Sequence, residues 1–127
     1  MNELTYDNFV EKLLKEIPEL VPTYNEYIAD YDEILPHVFL GEVTRYAINK
    51  YKRYLNHEIK LEGLIKLINF LEQAIKSNDK KTQELVSVSF LENLDKNDKY
   101  YQGFKALLGE SLKMELANYE NNRESQK

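Results

Sequence analysis

The chain has 127 residues, a formal net charge of −5 and no cysteine. Its length suits a single domain, and 43% hydrophobic with 31% charged residues excludes a wholly disordered chain and a membrane protein. A pI near 5.1 argues against a general nucleic-acid binder, and the lack of cysteine removes disulfides and thiolate nucleophiles.

Apolar spacing at three- and four-residue steps predicts an all-α fold of about six helices, arranged as a bundle or a short stack of antiparallel helix pairs. The first helix runs from about Tyr6 to Ile17, with Thr5 or Asp7 as its cap and Pro18 as its stop. A short second helix follows from about Pro22 to Tyr31, where Tyr24, Tyr27, Ile28 and Tyr31 recur on one stripe. The third spans about Pro36 to Leu55 and carries Phe39, Val43, Tyr46, Ala47, Tyr51 and Tyr54. The fourth, about Lys60 to Lys76, has the cleanest stripe: Leu61, Leu64, Ile65, Ile68, Leu71 and Ile75.

Ser77-Asn78-Asp79 reads as a turn whose Asn or Asp caps a fifth helix, about Lys80 to Leu94. Residues 86–90 alternate with period two, but a lone strand would lack a pairing partner, so helix is expected there. Leu91 and Leu94 are expected to pack on the fourth helix, opposite Leu64, Ile68 and Leu71. A sixth helix runs from about Tyr100 to Tyr119. Residues 1–120 form the expected domain, and 121–127 read as a frayed polar tail. The N-terminus, Met1-Asn2-Glu3-Leu4, has neither the basic nor the apolar region of a secretory signal, so a cytoplasmic protein is expected.

Charge is uneven. Residues 1–33 hold nine acids against two bases, a net charge of −7, whereas residues 34–66 hold three acids against six bases, a net charge of +3. The acidic quarter also carries tyrosines. Tyr24, Glu26, Tyr27, Asp30, Tyr31, Asp32 and Glu33 are therefore the candidate partner-binding residues, with carboxylates steering a basic partner and aromatic rings supplying contact area. The plainer alternative is a solvated face. Arg45, Lys50, Lys52 and Arg53 on the third helix are expected to pair with the acidic quarter across the bundle.

Chemistry is sparse. His37 and His57 are the only histidines, too few soft ligands for a structural zinc site. Asp30-Tyr31-Asp32-Glu33 lacks the length and the glycine of a calcium loop. Ser87 and Ser89 have no evident base beside them. No catalytic residue, metal ligand or cofactor is expected, and the protein is read as a non-enzyme; a cleft near His37 and Arg45 is the weaker alternative.

Two strings carry a resemblance. Leu35-Pro36-His37-Val38-Phe39-Leu40-Gly41-Glu42-Val43-Thr44-Arg45-Tyr46 and Val86-Ser87-Val88-Ser89-Phe90-Leu91-Glu92-Asn93-Leu94, with Phe70-Leu71-Glu72 between them, resemble signatures of a family of small bacterial all-helical proteins of unknown function. Members of such families resemble immunity proteins of polymorphic or contact-dependent toxin systems. The resemblance implies a protein that binds and neutralises a cognate toxin, such as a nuclease, without catalysis of its own; from the pI and the lack of a long apolar run, no direct contact with nucleic acid or membrane is expected. The rival reading is a helical adaptor for another cellular protein. The polar signature residues Thr44, Arg45 and Glu92 fit either an internal network or an interface.

Overall fold

A computed structural model of the chain describes residues 4–31 and 35–125. About three quarters of the chain is helical, and no strand occurs among the described residues. Among the described residues the α-helices are α1 (Phe9–Glu16), α2 (Val21–Tyr31), α3 (Pro36–Leu55), α4 (Glu62–Ile75), α5 (Lys80–Ser89), α6 (Tyr101–Ala106) and α7 (Glu110–Ser125). Short 3-10 turns at Pro18–Leu20 and Leu91–Asn93 join α1 to α2 and follow α5.

The core sits on α4. Helices α1, α3, α5 and α7 all pack against it, and Phe9 meets Phe70 edge-on at 5.4 Å. Phe39, Phe90 and Phe104 are fully buried, and Phe104 bridges Phe90 and Tyr51.

Local chemistry sets the ends. Pro18 ends α1 because its ring cannot donate to the preceding turn. Asn8 holds the N-cap position rather than Thr5 or Asp7, and its side-chain oxygen accepts from the Thr5 amide at 2.8 Å. Pro36 starts α3, where a missing amide costs nothing. At the other end of α3, His57 adopts φ 62° and the Glu58 amide donates to the Arg53 carbonyl at 2.9 Å. That closing turn usually carries glycine.

Three boundaries depart from the sequence expectation. Helix α5 stops at Ser89 rather than Leu94, because the Asn93 side chain donates to the Ser89 carbonyl at 2.6 Å and takes the place of a backbone amide. Leu91 and Leu94 are buried as expected, but the turn carrying Leu91 packs on α5, α7 and α3 rather than chiefly on α4. The expected sixth helix is two helices. Leu107 and Leu108 donate to carbonyls three residues back, which tightens and ends α6, and a new helix begins after Gly109. It continues to Ser125, into the segment read as a tail.

The start of α7 is capped from another helix. Glu72 of α4 is 8% exposed, and its two carboxylate oxygens accept from the Ser111 and Leu112 amides at 2.9 and 3.0 Å. A carboxylate at a helix N-terminus satisfies orphan amides and opposes the positive end of the helix dipole. Gly109 makes room for it: a Cβ there would lie 2.4 Å from a Glu72 carboxylate oxygen.

Candidate functional site

Helix α2 positions the candidate residues, and its periodicity divides them. Tyr27 is 3% exposed, and its hydroxyl oxygen accepts from the Leu35 amide. Its ring packs against Phe39 at 5.6 Å, and half-buried Tyr24 meets Phe39 edge-on at 5.5 Å. These two rings fasten α2 to α3. Tyr27 is thus not the surface residue expected from sequence; a stripe at three- and four-residue steps is the inner face of an amphipathic helix. Glu26 and Asp30 face solvent. The side chain of Tyr31, together with Asp32 and Glu33, lies outside the described residues.

The exposed acids are largely unneutralised. Among the described residues no ion pair involves Asp7, Glu16, Glu26 or Asp30. Of the first-quarter acids among the described residues, Glu11 pairs with Lys15 on its own helix, and Glu19 is matched from α3. Glu19 reaches Lys50, and the Tyr46 hydroxyl donates to it at 2.9 Å. The Lys50 ammonium and then the Tyr46 hydroxyl hold the Glu19 carboxyl below its ordinary range. This is the one pairing of the basic third helix with the acidic quarter seen among the described residues. Arg45 pairs with Glu42 of its own helix, and Arg53 with Glu58 just beyond it.

The signature residues split between inside and outside. Thr44 is buried, and its hydroxyl donates to the Leu40 carbonyl at 3.0 Å, with the Ser89 and Phe90 carbonyls at 3.4 and 3.3 Å. It stitches α3 to the end of α5, so its role is internal. Arg45 and Glu92 are exposed. Arg45 borders a groove of about 360 Å³ between α3 and the 93–98 segment, whose lining mixes Asn49, Lys52, Asp95 and Asp98 with Ile48 and Leu94. Lys52 and Lys99 each sit 5.1 Å from the Tyr100 ring centre, within cation–π range.

His37 and Ser89, 52 residues apart, are joined by a hydrogen bond between Nδ1 and the hydroxyl. Sequence inspection offers Ser89 no base; the fold supplies this one. Ser89 is nonetheless only 4% exposed, and a nucleophile needs an open approach for substrate. The pair works as a tie between α3 and α5. Among the described residues no group of three or more His, Asp or Glu gathers where it could share a metal ion, and no helix is long and apolar enough to cross a membrane.

A family model described as a domain of unknown function, DUF7674, matches residues 10–124. The chain matches none of the curated proteins and none of the solved structures with which it was compared.

Proposed function

We propose that this chain, which belongs to the DUF7674 family, is a non-catalytic, immunity-type protein that binds and neutralises a cognate bacterial toxin domain through its acidic first quarter. The observation that supports this reading is the set of exposed carboxylates without ion pairs on and beside α1 and α2: Asp7, Glu16, Glu26 and Asp30. Folded proteins neutralise many surface charges locally. An unmatched acidic face steers a basic partner and accelerates its encounter. A nuclease carries a cationic cleft to hold phosphates, and carboxylates occupy such a cleft by presenting the same sign of charge. The signature resemblance supplies the toxin system as the setting.

The experiment pairs this protein with the product of a neighbouring gene that carries a toxin domain. Co-expression should protect cells, and the complex should form faster at low salt, because the Debye length is only about 8 Å at physiological ionic strength. Replacing Glu26 and Asp30 with lysine should weaken binding about tenfold or more, roughly 1.4 kcal/mol, without unfolding α2. Full affinity and full protection in that folded variant would refute the acidic-face reading. Binding to a cellular protein without protection from any toxin would favour an adaptor instead.

A further inference from the structure

Tyr27 of α2 is buried and Tyr24 half-buried, so neither ring gives the acidic face an exposed aromatic centre, and Val21, 38% exposed, is the large apolar side chain this helix shows to solvent among the described residues. Surface carboxylates alone hold a partner weakly once salt screens them, whereas lasting complexes need a desolvated apolar anchor. Such an anchor point lies beside α2. A groove of about 470 Å³ runs along Leu35, Pro36, His37 and Val38, with Tyr6 and Asp7 as its opposite wall. Val38 is 38% exposed, and Leu35 and Pro36 are only partly covered. On the other side of Tyr6 and Asp7 a second groove of about 430 Å³ reaches Asn78, Asp79 and Lys81.

The wall between the grooves is held in place. The Tyr6 amide donates to the Asp79 carboxylate at 2.7 Å, and the Tyr6 ring lies 6.1 Å from the His37 ring. Asp79 also accepts from the Thr82 hydroxyl at 2.8 Å. The floor is aliphatic at Leu35, Pro36 and Val38 with the His37 imidazole among them, while the wall and its far side carry Asp7 and Asp79, and Lys81 borders the second groove. Asp30 stands one helical turn beyond Tyr27, whose hydroxyl holds the Leu35 amide at the groove's edge.

We propose that this trough seats a segment of the partner protein in which an apolar side chain is flanked by lysine or arginine. The apolar group covers Leu35, Pro36 and Val38, and a flanking cation meets Asp7 in the wall, with Asp79 behind it. The inference rests on the reading of the first quarter as a binding face, and it moves the centre of contact from α2 to the start of α3.

The test titrates the full ¹⁵N-labelled chain with two synthetic peptides of equal length and charge, one alternating lysine and leucine pairs, the other with every leucine replaced by serine. The leucine peptide should shift the amides of Tyr6, Asp7, Leu35, His37 and Val38, and bind about tenfold tighter than its serine counterpart. Val38→Gln should weaken the leucine peptide about threefold or more, while Met114→Gln, at an exposed apolar position elsewhere, should not. Shifts at Glu26 and Asp30 without any at 35–38 would overturn the trough and leave the acidic face standing. No shift with either peptide would overturn both. A wild-type dimer that Val38→Gln converts to a monomer would make a second copy the occupant and also overturn the proposal.

Discussion

Replacing Glu72 with alanine should destabilise the protein by about 3 kcal/mol. The carboxylate is buried and accepts two amides at the start of α7, at 2.9 and 3.0 Å. A hydrogen bond to a charged group contributes about 1.5–3 kcal/mol net, and loss of an ordinary helix cap costs about 1 kcal/mol. Two charge-assisted bonds would sum to about 3–6 kcal/mol; water entering the vacated space re-solvates the amides in part, which favours the lower end. Glu72→Gln keeps one accepting oxygen and turns the other position into a donor facing an amide, so it should lose about half as much. A urea titration followed by circular dichroism measures both. For a chain of this size about 3 kcal/mol corresponds to a fall in Tm of roughly 10 °C. Amide exchange at Ser111 and Leu112 should accelerate in step. A cost below about 0.5 kcal/mol with unchanged exchange at those two amides would refute the cap across helices.

Gly109→Ala should cost about 1–3 kcal/mol in the same titration, because its Cβ would lie 2.4 Å from a pinned Glu72 oxygen. His57→Gly should stabilise by about 0.5–1 kcal/mol, since φ 62° strains a residue with a Cβ; a loss of stability would show that the imidazole makes a compensating contact. Leu91→Ala, at a site 1% exposed, should cost about 2–5 kcal/mol, and near-neutral behaviour would contradict its burial. Lys50 and Tyr46 depress the Glu19 carboxyl, and Tyr101 and Lys105 depress that of Glu120. A carboxylate whose folded pKa lies below its unfolded value adds stability above the unfolded value, which is lost as pH falls through the folded one. Stability should therefore decline below about pH 4.5, and less steeply in a Glu19→Gln, Glu120→Gln variant, as followed by thermal melts across acidic buffers.

The parts of the fold legible in the sequence were those decided within a few residues. Helix α3 begins at Pro36 and ends at Leu55 as its stripe and proline indicate. The break between α6 and α7 was not legible, because Leu107 and Leu108 continue the apolar spacing and Gly109 looks like an ordinary helical glycine. Tight turns at Leu107 and Leu108 end α6, and the new start at α7 is fixed by a carboxylate nearly forty positions earlier, on another helix. The shortening of α5 has a similar cause, since the Asn93 amide and the Thr44 hydroxyl take carbonyls at its end. For the candidate site the charge asymmetry is plain in the sequence, but Tyr27 is buried and Tyr24 half-buried on the inner side of α2 rather than on its surface. Their own spacing carried the correction: residues three and four apart that repeat an apolar stripe face the core. The His37–Ser89 tie spans 52 residues and has no local signal.

The arrangement around α4 has a consequence for the order in which the molecule is made. A ribosome delivers the chain from the N-terminus, so α1, α3 and α5 can settle on α4 while α7 is still inside the exit tunnel. During that interval the face of α4 awaiting α7 is open, and Glu72 sits in water rather than against the Ser111 and Leu112 amides. The emerging helix then meets a waiting carboxylate at its own first turn, the step that most impedes helix initiation in isolation. Ribosome-bound chains with α7 still inside the tunnel should accordingly be far more sensitive to protease than the released full chain.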